Sequence, residues 1–144
     1  MPNRQARARE KNSMASELAA WAEAGQPAEG RKASSRPVDL VHLSRYTLGE
    51  RELEREVLEL FCTQSLVYLE RLHDAQSDQD WTEAAHALKG SAYAIGAWRV
   101  AEGARQAEAL AGGVLGQLRA LQLREIESAL HEADAYIGSL LKDR

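Results

Sequence analysis

Beyond residue 37 the sequence contains no proline: Pro2, Pro27 and Pro37 are the only three, and 107 residues follow without one. Proline removes a helical hydrogen bond and clashes with the preceding turn, so its absence from a stretch rich in Ala, Leu, Glu and Arg predicts helix throughout. Cysteine is nearly absent too. The single Cys62 excludes an internal disulfide framework. Phenylalanine occurs once, and no apolar run approaches the roughly 20 residues that a membrane-spanning helix requires. The opening MPNRQARAREKN lacks the apolar stretch of a secretory signal. Export and membrane spanning are therefore not expected, and a cytoplasmic location is.

What is present divides at Pro37. Residues 1–37 carry seven Lys and Arg against four Asp and Glu, a charge of +3, whereas residues 38–144 carry eleven against eighteen, a charge of −7. The acidic part has no nucleic-acid footprint. The first 37 residues, with dispersed charge among Gly, Ser and Ala, are expected to form a largely disordered basic tail with one short helix at 13–24, where Leu18 and Trp21 share a face. Residues 38–144 are expected to form the folded domain.

Apolar periodicity sets the elements of that domain. Asp39 caps a short helix carrying Leu40, Val41 and Leu43, and Thr47-Leu-Gly-Glu50 matches a capping box opening a long helix from about Gly49 to His73. The polar run Asp74 to Asp80 ends it. A third helix begins near Trp81 and carries Ala84, Ala85, Leu88, Ala92 and Ile95 on one side. Gly96 interrupts the pattern, Ala97 to Ala111 resumes it, and Gly112-Gly113 is a suitable stop. The last helix runs from about Leu118 to Leu141. An all-α antiparallel four-helix bundle with an additional short N-terminal helix follows, because each apolar stripe must be buried against the others.

The third helix carries the unusual residues. At about 100° per residue, His86 points roughly 140° from the apolar direction, Gly90 about 180° and Lys89 about 80°. Glycine inside a helix costs roughly 1 kcal/mol relative to alanine, which this sequence uses freely elsewhere. Because side chains lean toward the helix N-terminus, a missing side chain at Gly90 uncovers His86. On the next helix Glu108 falls within the apolar stripe, at a depth comparable to His86. An imidazole N–H donated to that carboxylate would fix the tautomer and leave the other ring nitrogen outward as a nucleophile. Pairing of Glu108 with Arg105 or another cation at the bundle edge is compatible with that reading.

The stretch Ala85-His86-Ala87-Leu88-Lys89-Gly90-Ser91, followed four residues later by Gly96-Ala97, resembles the histidine-containing phosphotransfer (HPt) domain family over about residues 38 to 141. The resemblance implies phosphorylation of His86 through Nε2, with Lys89 as the basic residue beside the phosphoryl group and Gly90 as the glycine that clears space for it. It implies that Glu108 occupies the position that hydrogen-bonds the other imidazole nitrogen. Arg105, one turn earlier, is expected to add an electrostatic contact, and Gly90, Ser91, Tyr93 and Arg105 are expected to meet partners. Two positions depart from the family pattern: Tyr93 stands where members often have a small residue, and Ala94 where they often have Asn.

The resemblance further implies a phosphoryl carrier in two-component signalling, monomeric and free-standing. Its partners would be the receiver domains of a hybrid sensor histidine kinase and of a response regulator. No cofactor is expected in the chain, since Mg²⁺ would sit at the partner receiver domain. Gly112-Gly113-x-x-Gly116 lacks the strand and the Lys-Ser/Thr of a P-loop, so no nucleotide site is expected. Two rival readings stand beside this one. Glu70-x-x-His73 and Glu83-x-x-His86 match the motif of di-metal carboxylate bundles, although on their wheels Glu70, His73 and His86 face away from the core. A non-catalytic adaptor bundle is the other, and it leaves Gly90 and Glu108 without a role. His42, His73 and His131 are expected to be ordinary surface or boundary residues.

Overall fold

The structure, a computed structural model, describes residues 36–110 and 116–142. Within them lie five helices: α1 (Leu40–Thr47), α2 (Arg51–His73), α3 (Asp78–Ile95), α4 (Trp98–Ala109) and α5 (Gly116–Lys142). The expected helix at 13–24 and the Gly112-Gly113 stop fall outside the described residues.

Cross-links between helices define the topology. Gln122 Nε2 donates to the Gly103 carbonyl, and Arg99 near the start of α4 pairs with Glu132 further along α5, so α4 and α5 run antiparallel. His73 pairs with Glu127, and Cys62 lies beside Asp134, which gives α2 and α5 the same relation. With short turns joining α2 to α3 and α3 to α4, the four long helices close into an antiparallel bundle. Trp81, Phe61, Leu58, Leu88, Ile126 and Ile137 fill its centre, each essentially withdrawn from solvent. Facing them, α4 buries only small side chains at Ala101, Ala104 and Ala107 beside Val100, which brings its backbone close to its neighbours. A Cβ at Gly103 would stand 3.1 Å from Ile126 Cγ1, a measure of how near α4 and α5 approach.

The helix starts correct two sequence expectations. Thr47-Leu-Gly-Glu50 does not form a capping box. Leu48 (φ 55°) caps the end of α1 in the left-handed conformation, Thr47 is buried with its hydroxyl donating back to the Leu43 carbonyl, and Glu50 caps α2 without a side-chain bond. The connection after His73 does not extend to Asp80. Ser77 accepts from the Asp80 N–H and starts α3 at Asp78, one turn earlier than its apolar stripe.

The short α1 is seated on the α3–α4 corner. Gly96 turns that corner at φ 75°, its carbonyl accepts from the Asp39 N–H, and a Cβ there would lie 2.6 Å from Asp39 Cβ. Asp39 caps α1 through the His42 N–H and also accepts from the Trp98 indole at 3.1 Å. His42 is therefore no boundary residue, contrary to expectation: it is buried, bonded to the Tyr93 carbonyl at 2.8 Å and edge-on to Trp98.

Candidate functional site

The exposed side of α3 carries the candidate residues. His86 is 53% exposed, and its neighbours one and two positions before it, Ala85 and Ala84, are buried; the helix thus anchors its apolar face and presents the imidazole outward. Lys89, Gly90 and Ser91 are half-buried on the same helix. Across the α3–α4 hairpin, Glu108 enters from the last turn of α4.

Glu108 joins the site together. Its Oε1 accepts from His86 Nδ1 at 3.4 Å, and its Oε2, closed off from solvent, faces Lys89 Nζ at 3.0 Å. Burial works against ionisation of this carboxyl, but Lys89, through its hydrogen bond and charge, and then His86 outweigh it and hold Glu108 below the ordinary carboxylate range. An ionised carboxylate only accepts, so this contact requires a hydrogen on Nδ1, and a neutral imidazole held in this way carries its lone pair on Nε2. Lysine 89 is only 19% exposed, its stem laid along the bundle and its ammonium held at the carboxylate.

Arg105 is placed differently from the other expected residues. Its guanidinium is engaged by Glu102 at 2.6 and 2.9 Å, a fork that pulls the Glu102 carboxyl down to about 2 and keeps Arg105 firmly protonated. Tyr93 is half-buried two turns beyond His86, tilted against Trp98 with ring centroids 6.0 Å apart. Its carbonyl is the one that His42 binds, so the short α1 is tied to the helix that carries His86.

The metal reading finds no such convergence. Glu70, His73, Glu83 and His86 are all exposed; His73 pairs with Glu127 at 2.7 Å and Glu83 accepts from Gln79. Among the described residues no three His, Cys, Asp or Glu side chains stand close enough to hold a metal ion. Nor is any described helix long and apolar enough to cross a membrane.

Two contacts at the end of α4 had no counterpart in the sequence reading. The buried Trp81 indole donates to the Ala107 carbonyl at 2.7 Å, and Arg119 of α5 donates to the Leu110 carbonyl at 3.1 Å and to Asp78 at 2.6 Å. Helical periodicity could place Trp81 in the core but not aim its N–H. Nothing in the sequence marks Arg119, since its partners lie 9 and 41 positions away.

A helical bundle that displays a histidine backed by a carboxylate and a lysine has the form of a phosphocarrier domain. The family model of the Hpt domain matches residues 56–138, more than half of the sequence, and the chain belongs to that family. No curated protein and no solved structure matched it. Membership implies phosphotransfer in two-component signalling and interaction with receiver domains, and Hpt domains act as phosphocarriers rather than true enzymes.

Proposed function

We propose that His86 is the phosphoacceptor of a phosphorelay, taking a phosphoryl group from the aspartate of one receiver domain and passing it to the aspartate of another. The observation that carries this reading is the hydrogen bond from His86 Nδ1 to Glu108 Oε1 on the exposed side of α3. It leaves the Nε2 lone pair as the attacking group.

In the step, the P–O bond of the receiver's aspartyl phosphate breaks as a P–Nε2 bond forms, and the aspartate leaves as a carboxylate. Nδ1 keeps its hydrogen, so the ring becomes positively charged, and the Glu108 carboxylate beside it stabilises that charge. Lys89 supplies positive charge for the transferring oxygens by turning part of its interaction from Glu108 to the phosphoryl group. Gly90 leaves the approach to Nε2 open. Transfer to the second receiver reverses the same events, with His86 as leaving group. Mg²⁺ enters with the receiver domain, the donor being that of a hybrid sensor histidine kinase and the acceptor that of a response regulator. Ser91, Tyr93 and Arg105 line the encounter surface, and the protein works as a monomer in the cytoplasm.

A phosphorylated receiver domain should label the protein with acid-labile, base-stable phosphate. His86→Gln should abolish labelling while leaving the far-UV circular dichroism unchanged. Labelling that survives the substitution sinks the assignment. Stoichiometric metal in the purified protein would instead favour the di-metal reading.

A further inference from the structure

Glu108 lies on the last turn of α4, which ends at Ala109 with Leu110 as its cap. The last four carbonyls of a helix have no partner within it, and such turns fray first. Here two terminal carbonyls are held from neighbouring helices, that of Ala107 in addition to its bond from the Leu110 N–H. The Trp81 indole on α3 donates to Ala107, and Arg119 Nε donates to Leu110 across the connection from α4 to α5. The same guanidinium donates through Nη2 to Asp78 Oδ1 on the first turn of α3, and it lies over the Trp81 ring, 4.9 Å from its centroid. Its side chain is only 21% exposed, which is unusual enclosure for an arginine on a helix start.

Arg119 therefore touches the two helices that carry the acceptor pair: α3, with Asp78 two turns before His86, and α4, with Leu110 two residues after Glu108. The His86–Glu108 contact is 3.4 Å, near the outer limit of a hydrogen bond. A shift of a few tenths of an ångström between the helices decides whether Glu108 orients the ring. We propose that Arg119 is a positioning residue for this site: its guanidinium fork sets the spacing between the start of α3 and the end of α4, and thereby the tautomer of His86. The proposal rests on the reading of His86 as phosphoacceptor. The fork is essential to it, because arginine presents donors in two fixed directions, whereas a lysine ammonium is a point charge that satisfies Asp78 without holding the Leu110 carbonyl.

The test is NMR of the full chain with ¹⁵N-labelled histidine, which reads the Nδ1–H and Nε2–H tautomers of His86 directly, alongside the rate of transfer from a phosphorylated receiver domain. In the wild-type chain the Nδ1–H tautomer should predominate. Arg119→Met should shift His86 toward the Nε2–H tautomer and slow transfer about tenfold to a hundredfold, as small misplacements of reacting groups do. Arg119→Lys should give an intermediate tautomer ratio. Asp78→Asn, which keeps an acceptor oxygen but removes its charge, should shift the ratio in the same direction as Arg119→Met and to a smaller extent, and it serves as the second variant if Arg119→Met folds poorly. An unchanged tautomer ratio in a folded Arg119→Met or Asp78→Asn chain overturns the proposal. If the wild-type chain accepts no phosphate while the tautomer still shifts, the acceptor reading falls and the positioning role stands.

Discussion

Glu108 answers to two partners at once, His86 and Lys89, and its chemistry follows from that. One oxygen accepts from the imidazole and the other faces the Lys89 ammonium. Glu108→Gln keeps an acceptor oxygen toward His86 but removes the charge. We expect transfer to slow about tenfold or more, with the substituted protein still folded. The ion pair should also appear as pH-dependent stability. A carboxyl held below its ordinary value stabilises the fold fully above the unfolded pKa, near 4.5, and loses that contribution as the pH falls through the lower folded value. The difference in melting temperature between the wild-type chain and Glu108→Gln should accordingly be constant near neutrality and shrink on acidification below pH 4.5. A difference that grows on acidification would contradict the pairing. Cys62 makes the opposite case. Burial first, and then the nearby Asp134 and Glu59 carboxylates, push its thiol up to about 12. Iodoacetamide at pH 8 should modify it about a hundredfold more slowly in the folded chain than in urea; equal rates would show that the thiol is open to solvent and unperturbed.

At the scale of the helices, the seat of α1 depends on the corner between α3 and α4. Gly96→Ala places a Cβ in a left-handed residue and within 2.6 Å of Asp39, so we expect a loss of about 1–3 kcal/mol in urea unfolding. A loss below about 0.5 kcal/mol, well under that range, would show that the corner relaxes freely. The long helices were legible in the sequence because each needs only its own three- and four-residue spacing: Leu53 to Leu72, Trp81 to Ile95, Ile126 to Ile137. Their starts were less so. Thr47 matched a cap pattern, yet the left-handed Leu48 lies between Thr47 and α2, a choice made by how α1 packs and not by four residues. The Ser77 cap was legible in Ser77-x-x-Asp80 but was masked by the polar run around it. His42 could not be placed from spacing, because its partners Tyr93 and Trp98 come from another part of the chain. For the site, the exposure of His86 and the inward set of Glu108 followed from helical wheels. The Lys89–Glu108 ion pair, the capture of Arg105 by Glu102 and the Arg119 bridge depend on side-chain rotamers and on distances between helices, which no wheel contains.

Across the whole molecule, every residue of the proposed acceptor site lies between His86 and Glu108 in the sequence. Removing residues 1–35 should therefore leave the transfer rate within about twofold of the full chain, since no site residue is lost with them. A larger loss would assign the basic segment a part in the encounter. The proposed transfer turns on a single bond, between phosphorus and Nε2 of His86. NMR of ¹⁵N-histidine-labelled protein after incubation with a phosphorylated receiver domain should show a phosphorus–nitrogen coupling at Nε2 of His86, with Nδ1 still carrying its hydrogen. Coupling at Nδ1, or at any of His42, His73 and His131, would rule out Nε2 of His86 as the acceptor.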